Sequence, residues 1–471
     1  MTLKSTITQK KQLKPLKNVW KPHTYQMKTV KFMLQNACAG LFLDPGLGKT
    51  SISLAALKVL KKENLAQKTL IIAPLRVCYS VWPKEVAKWD DFKDLTVVIL
   101  HGKDKEKNLE KDADIYIINP EGLLWLCKKN FKQLDFDVLI IDESSKFKAT
   151  NTQRFKLLRN ILPFFRRRYI LTGTPVPNGM MDIFGQIYIL DLGAALGRFI
   201  THYRNNYFYP TGYGGYEWKL QDGAEARIQE KIRPLTLRLE DKDYLELPEL
   251  IINPVEVELP KAARLAYNEM EREMIVALTK GDVVAANAAA ASMKCRQMAN
   301  GGVYGEDRAV HHLHMEKAEA VLDLVEELQG TPALIAYEFH HDLERLLKVL
   351  GAKTPYIGGG VSAKRSAELE QAWNAGELPV LLGHPASISH GLNLQNAGNH
   401  VIWHSLTWNF EHYDQFNKRV RRQGSKHKKV FIHHITARDT VDEAILTALA
   451  FKDNTQRSLL NGLKDYVKRK M

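Results

Sequence analysis

Short apolar runs bounded by turn-forming residues recur along the first third of the chain, at Thr69–Leu75, Thr96–Leu100, Asp114–Pro120, Asp137–Ser144 and Arg168–Thr174. Runs of this kind read as strands buried on both faces. Between some of them the apolar positions change to helical spacing, as in Ser51–Lys62 and Ser80–Trp89. That alternation belongs to a parallel sheet with helices on its faces. A second series follows late in the chain, at Thr331–Phe339, Thr354–Gly358, Leu378–His384, Val401–Ser405 and Val430–Thr436, with helical patterns at Asp342–Leu350 and Ala363–Asn374. No sequence repeat relates the two series, so they share a layout only. The fold class expected is α/β, with two parallel-sheet lobes in tandem.

Between the two series, from Met180 to about Met315, the pattern reads as strand-poor. It holds the turn-rich stretch Tyr209-Pro-Thr-Gly-Tyr-Gly-Gly-Tyr216 and two long helices, Pro260–Lys280, opened by a proline at a helix start, and Asp282–Met298. The alanine run Ala285–Ala291 carries Asn287 and has apolar flanks, which makes it ordinary helix and not low complexity. The layout expected is therefore a basic tail over 1–19, a first lobe over 20–180, helical insertions and a hinge over 181–315, a second lobe over 316–452 and a basic tail over 453–471.

The length of 471 residues exceeds what one core supports and suggests two to four units of about 100–200 residues each. With 45% apolar and 25% charged residues the chain lies in the range of folded soluble proteins. The net charge of +14 and the pI near 9.3 favour a polyanionic partner, nucleic acid first, although a basic surface that serves only solubility has the same count. Four cysteines, Cys38, Cys78, Cys127 and Cys295, include no Cys-x-x-Cys pair, so neither a disulfide framework nor a zinc knuckle is indicated and a reducing cytosol fits. The first residues lack the apolar stretch of a secretory signal, and no run reaches the roughly 18 apolar residues of a membrane span. A soluble, cytoplasmic protein is expected, without a membrane partner.

The stretch Leu41-Phe-Leu-Asp-Pro-Gly-Leu-Gly-Lys-Thr-Ser51 ends in Gly-Lys-Thr and runs straight into a helical pattern. Glycines allow backbone N–H groups to turn inward around phosphates, Lys49 brings a charge to the β/γ oxygens, and the Thr50 hydroxyl can ligate Mg²⁺. Leu43 stands where the strict eight-residue pattern has its first glycine, and taken alone the loop is also compatible with a chance turn at a helix N-cap. Leu139-Ile-Ile-Asp-Glu-Ser-Ser145 changes that picture, because a buried strand here ends in two adjacent carboxylates at the sheet edge where ligands bind. Asp142 can hold Mg²⁺ through water, and Glu143 can orient and deprotonate an attacking water. Far downstream, His412-Tyr-Asp-Gln-Phe-Asn-Lys-Arg-Val-Arg-Arg-Gln-Gly424 places Gln415, Arg419 and Arg422 at steps of four and three, hence on one helical face. Guanidinium donors there suit a transferred phosphoryl group; a solvated basic helix or a phosphate-backbone patch is the alternative, and Arg421, off that face, is a candidate for such a contact.

These residues, taken in order, resemble the Swi/Snf-like ATPase branch of helicase superfamily two from Trp20 to Lys452. Pro22-His-Thr-Tyr-Gln26 is similar to the stretch whose glutamine reads adenine. Asp44–Thr50 is similar to motif I, Ala73-Pro-Leu75 with Trp82 and Trp89 to motif Ia, Asp142–Ser145 to motif II and Leu171-Thr-Gly-Thr-Pro175 to motif III. Gly391-Leu-Asn-Leu394 with Trp408-Asn409 resembles motif V, and Asp414–Gly424 motif VI. Arg233–Arg238, Cys295-Arg-Gln297 and Arg365 are weaker echoes. Two departures stand out: motif II reads Asp-Glu-Ser-Ser where the family has Asp-Glu-Ala-His, and His390 stands where a small residue is usual.

The resemblance implies two RecA-like lobes and the cofactors ATP and Mg²⁺. It implies nucleotide contacts from Gln26, Asp44, Gly46, Leu47, Gly48, Lys49, Thr50 and Ser51, with Mg²⁺ on Thr50 and Asp142. Lys49, Glu143, Arg419 and Arg422 would be catalytic, and Thr172, Thr174, Gly391, Asn393 and Gln415 would couple nucleotide state to nucleic acid. The activity implied is a DNA-dependent ATPase, and more narrowly a translocase on duplex DNA. The alternatives are an ATP-gated clamp with little motor activity and a strand-separating DNA or RNA helicase. A compact bacterial or phage-type enzyme is indicated, monomeric, with partners in replication, recombination or repair. The histidine groups at His311, His312 and His314, at His340 and His341 and at His433 and His434 lack metal-ligand spacing and are read as structural. Arg166-Arg-Arg168 reads as the solvated approach to a strand, and Tyr203, Tyr207, Phe208 and Tyr209 as packing of the insertion in preference to base stacking.

Overall fold

The computed structural model describes residues 18–450 apart from 177–178, 212–216, 241–243, 245–246, 280–284, 306, 389–390 and 424. Nearly all of both expected tails, the glycine-rich part of the 209–216 turn, the start of the second long helix, His390 and Gly424 lie outside the described residues.

The strands are β1 (Cys38–Leu43), β2 (Thr69–Ile72), β3 (Val97–Ile99), β4 (Ile115–Ile118), β5 (Val138–Asp142), β6 (Arg167–Thr172), β7 (Phe208–Thr211), β8 (Glu217–Leu220), β9 (Thr236–Leu239), β10 (Glu249–Val257), β11 (Gly302–Tyr304), β12 (Val310–His312), β13 (Ala333–Ala336), β14 (Tyr356–Ile357), β15 (Val380–Gly383), β16 (His400–Trp403) and β17 (Lys429–Ala437). They build a seven-stranded sheet in the order β3-β4-β2-β5-β6-β1-β9 and a six-stranded sheet in the order β10-β17-β16-β13-β15-β14. All pairings within these two sheets are parallel. These are the two RecA-like lobes, and every apolar run singled out in the sequence overlaps a strand of one of them.

Both faces of each sheet are covered, which is why the strands read as continuous apolar runs and not as alternating ones. Along β5, Leu139 and Ile141 enter one core while Val138 and Ile140 enter the other. Along β13, Leu334 and Ala336 face one core and Ala333 and Ile335 the opposite one. The helices Lys49–Lys62 and Thr24–Gln35 pack together over the first sheet.

The region expected to be strand-poor holds six strands among the described residues, β7 to β12. Strand β9 pairs with β1 at the edge of the first sheet, and β10 pairs with β17 over nine positions at the edge of the second. The chain thus crosses from one sheet to the other between Leu239 and Glu249, ahead of the two long helices. Pro254 hides β10 in the sequence, since proline is accepted on an edge strand but argues against a central one. The helices Lys261–Thr279 and Ala285–Ala299 pack on each other, and Tyr267, Cys295 and Met298 join Val441 and Ala444 of the helix Val441–Ala450 in one core. Tyr203, Tyr207 and Phe208 are buried; of that aromatic set only Tyr209, with Lys219 over its ring, is exposed.

Candidate active site

Strands β1, β6 and β5 lie side by side, so the segments that leave their C-terminal ends converge at one edge of the first sheet. After β1 the chain turns through Gly46 and Gly48, at φ 100° and 80°, a region that excludes most side chains. A Cβ on Gly48 would also stand 2.5 Å from Gln26 Nε2. The helix begins at Lys49, whose ammonium donates to the carbonyls of Leu43 (2.6 Å) and Asp44 (3.3 Å). Burial lowers the Lys49 pKa against the opposing pull of Glu143, Asp142 and Asp44. The Gln26 amide donates to the Leu47 carbonyl (3.2 Å) and accepts from His23 N–H (2.9 Å). Ser51 donates to Glu85 (2.5 Å), which also accepts from Trp89 Nε1 (2.7 Å).

Strand β5 delivers Asp142, which accepts from Trp82 Nε1 at 3.0 Å. Burial, and then the adjacent charge of Glu143, push its pKa up to about 6. Glu143 is left-handed, with φ 61° and ψ 58°, a conformation that costs a non-glycine residue on the order of 1 kcal/mol and recurs at functional sites. Its carboxylate accepts from Ser145 Oγ (3.2 Å) and Thr172 Oγ1 (3.3 Å). Ser144 is buried and donates to Gln186 Oε1 at 2.8 Å.

In the second lobe the helix Phe410–Asn417 is capped by Asn409, whose side chain accepts from His412 N–H. It carries Gln415 but ends before the arginines, which corrects the expectation of one helical face. Beyond Asn417 the backbone tightens, with Arg419 N–H bonded to Phe416 O and Val420 N–H to Asn417 O, and Val420 turns into the core. Arg419 is 8% exposed and donates to the Leu392 carbonyl at 3.2 Å. Burial and the neighbouring Arg422 pull its pKa down to about 9, which leaves it protonated at neutral pH. Arg422 donates to Asn393 Oδ1. Arg421 donates to the Pro248 carbonyl at 2.9 Å and so ties the loop to the start of β10.

The lobes touch around a cleft of about 430 Å³. The first lobe lines it with Gln26, Gly46, Gly48, Lys49, Thr50, Ser51, Asp142, Glu143 and Thr174, the second with Gly391, Asn393, Gln415, Arg419 and Arg422. Three expected residues do not line it. Leu47 has its side chain in the core, Thr172 is buried behind Glu143, and Asp44 lies 3.8 Å from the Lys418 ammonium of the other lobe. The contact between lobes is close. Gly391, at φ 78°, sits where a Cβ would meet Ser80 and Val81 at 3.3 and 3.4 Å. Arg76 reaches the Ser387 carbonyl and Ser366 Oγ, Lys84 pairs with Glu370 at 3.3 Å, and Thr174 Oγ1 donates to Glu411 Oε1 at 3.0 Å.

Arg76, Glu370, Glu411 and Lys418 leave no signal in the sequence, because single charged residues in or beside helices have no diagnostic spacing. Trp82 belongs to the stretch similar to motif Ia, but nothing in its position along the chain points to Asp142. Of Arg166–Arg168, Arg166 is solvated beside Asp137, whereas Arg168 donates to the carbonyls of Leu162, Phe165 and Leu190.

Residues 25–302 match the SNF2-related domain, and residues 316–424 match the helicase conserved C-terminal domain. The chain belongs to the SNF2-related helicase family. Protein p41 of Acyrthosiphon pisum secondary endosymbiont phage 1 is 34% identical over 95% of this chain and 99% of its own length. The human DNA annealing helicase and endonuclease ZRANB3 is 24% identical over 90% of this chain, which spans only 39% of that protein. The ATP-dependent helicase YqhH of Bacillus subtilis is 22% identical over 94% of this chain and 80% of its own. Among solved structures, the Sulfolobus solfataricus SWI2/SNF2 ATPase core in complex with dsDNA is similar over 96% of this chain and 94% of its own, at 23% identity and a TM-score of 0.46. As a member of this family the protein is an ATP-hydrolysing, DNA-dependent ATPase. Among the described residues no helix is long and apolar enough to cross a membrane.

Proposed function

We propose that this SNF2-family ATPase is a motor that moves along duplex DNA without fully separating its strands. The observation that carries the reading is the composition of the cleft, in which Lys49 and Glu143 of one lobe share a wall with Gln415, Arg419 and Arg422 of the other. A site divided in this way makes hydrolysis conditional on how the lobes sit, and that conditionality is what converts turnover into movement. The net charge of +14 suits a partner held through its phosphates. The human relative is named as a DNA annealing helicase, which supports DNA in preference to RNA.

In this reading the backbone N–H groups of the Gly46–Gly48 turn and the Lys49 ammonium hold the β- and γ-phosphates of ATP. Thr50 and Asp142 are the residues that would hold Mg²⁺. They fit: both line the cleft, and Asp142 is a half-buried acid, its pKa raised to about 6, with Trp82 as its side-chain donor. The ion would supply positive charge that offsets the negative charge of the phosphates. Glu143 orients the attacking water and accepts its proton, and Arg419 and Arg422 donate to the γ-phosphoryl oxygens as their negative charge spreads. Gln26 bounds the cleft on the side where the base would lie, with its orientation fixed by His23 and Leu47.

The test is ATP turnover titrated with duplex DNA, single strands and RNA, followed by triplex displacement beside strand displacement. Stimulation by duplex DNA with triplex displacement alone is the expected result. Stimulation by none of the three would leave an ATP-gated clamp, and efficient strand displacement would make the protein an unwinding helicase.

A further inference from the structure

The two serines of motif II are both bonded within the first lobe, Ser144 to Gln186 and Ser145 to Glu143. A link that does cross the cleft runs through motif III. Thr172 Oγ1 donates to Glu143 Oε1 and accepts from Thr174 N–H at 3.1 Å. Thr174 Oγ1 donates across the cleft to Glu411 Oε1, and the same oxygen accepts from Gln415 Nε2 at 3.0 Å. An unbroken chain of hydrogen bonds therefore joins the carboxylate proposed to activate water to the second-lobe helix that precedes the arginines.

Glu411 sits in the first turn of the helix Phe410–Asn417, where a carboxylate complements the helix dipole. It is half-buried, and burial together with the charge of Glu143 raises its pKa, opposed by the Thr174 hydrogen bond, Lys148 and Lys146. Holding an acid here near Glu143 is unfavourable by itself. Gln415 donates from the same helix however the lobes sit, whereas the Thr174 hydroxyl offsets the cost only while the lobes are seated against each other.

We infer that Glu411 is the interlobe positioning residue of this ATPase, reporting the seating of the second lobe to Glu143 through Thr174 and Thr172. Because the chain of bonds ends on the water-activating carboxylate, the effect of Glu411 falls on the geometry of Glu143 more than on nucleotide capture. This inference rests on the two-lobe hydrolytic reading above and deepens it, by naming the contact through which lobe closure gates hydrolysis.

The test is a double-mutant cycle on kcat with Glu411→Ala, Thr174→Val and both together, measured with ATP alone and with saturating duplex DNA. Glu411→Gln and Thr174→Ser serve as conservative controls, since an amide oxygen still accepts two hydrogen bonds and a serine hydroxyl still donates one. Glu411→Ala is expected to lower DNA-stimulated kcat about tenfold or more while the Kd of a fluorescent ATP analogue changes less than about threefold. The double variant should be no slower than the slower single one, and both conservative variants should keep at least roughly a third of wild-type kcat. Additive losses in the cycle, or a Glu411→Ala enzyme stimulated as fully as wild type, overturn the proposal. Wild type that no nucleic acid stimulates overturns the motor reading instead, and the cycle is then decided on turnover with ATP alone. Thermal unfolding of each variant guards against a folding defect. If Glu411→Ala does not fold, the decision passes to Thr174→Val, which should lose DNA-stimulated kcat to a similar degree; full stimulation of that variant overturns the proposal.

Discussion

Two acids in this protein, Asp342 in the second lobe and Asp142 in the cleft, are compensated by their neighbours to different degrees. In the second lobe, Asp342 accepts from Phe339 N–H, Asn300 Nδ2, Ser405 Oγ and Arg345 Nη2, with His341 at 3.0 Å, while Lys317 nearby pairs with Asp442 at 2.5 Å. Burial alone would raise the Asp342 pKa, yet the hydrogen bond from His341 and the guanidinium of Arg345 hold it well below the usual carboxylate range. In the cleft, Asp142 has Trp82 as its side-chain donor and Glu143 as its neighbour, and burial carries its pKa up to about 6; Lys49 is shifted down. The protein itself compensates Asp342, although Arg345 Nε and Nη1, His341 Nε2 and Asp442 Oδ1 around it are buried without a hydrogen-bond partner among the described residues. In the cleft, the counterparts proposed for Lys49 and Asp142 are phosphates and a cation, which is how a network that builds a fold differs from one that takes a ligand.

Removing one charge from each group tests this contrast most directly. Lys49→Ala should lower kcat for ATP by about 10³-fold or more, because the role proposed for this lysine places it on the β/γ oxygens that carry the transition-state charge. Its stability to urea should be unchanged or slightly raised, since a desolvated ammonium has been deleted. Asp342→Ala should do the reverse. Stripping the common acceptor from Arg345, Asn300 and Ser405 should cost about 3–5 kcal/mol in urea unfolding, with nucleotide affinity retained by the folded fraction. A large stability loss in Lys49→Ala, or a silent Asp342→Ala, would mean that the two clusters do not differ in kind.

The same contrast separates what the sequence reveals from what it hides. Strands of the two sheet interiors are legible because burial on both faces leaves unbroken apolar runs, as at Leu139–Ile141 and Leu381–Leu382. Edge strands β9 and β10 are not, since Arg238, Asn253 and Pro254 interrupt them where one edge needs no partner. The first-lobe half of the site is legible because glycines at positive φ and a strand ending in two acids have fixed spacings. The second-lobe half is legible in its residues but not in its conformation: steps of four and three imply a helix, and the chain instead turns out of it so that Val420 can be buried. Glu411 and the Asp342 network leave no diagnostic pattern, because Thr174, Asn300 and Ser405 lie tens to hundreds of positions from the acids they meet, and the local partners Gln415, His341 and Arg345 stand at spacings common to any helix.

Arg422→Ala approaches the divided site from the other lobe. This side chain is held by Asn393 and enters the cleft from an irregular turn, so its loss should leave the fold intact and ATP affinity within about threefold. Hydrolysis should fall about a hundredfold, as expected for a guanidinium that acts on the transition state more than on bound ATP. Single-turnover hydrolysis beside equilibrium binding of an ATP analogue separates the two effects. Unchanged turnover would remove the second lobe from the reaction and with it the divided site.

A subtler consequence concerns Asp142 and pH. A folded-state pKa of about 6 against 3.8 in the unfolded chain means that the unfolded state ionises first as pH rises, so the native state loses stability between about pH 4 and pH 6 and regains none above. Asp142→Asn removes that loss. In nucleotide-free protein the variant should match wild type in urea unfolding at about pH 4 and exceed it at about pH 7.5 by on the order of 1–3 kcal/mol. Asp342, whose folded pKa is shifted the opposite way, gives the mirror image: its contribution is present above the unfolded pKa and disappears as pH falls below it. Saturating Mg²⁺ and a non-hydrolysable ATP analogue should erase the advantage of Asp142→Asn, because wild type then gains the compensation that Asp342 receives from its own neighbours. An advantage that persists with the ligands bound would mean that Asp142 is desolvated for a reason other than holding the cation.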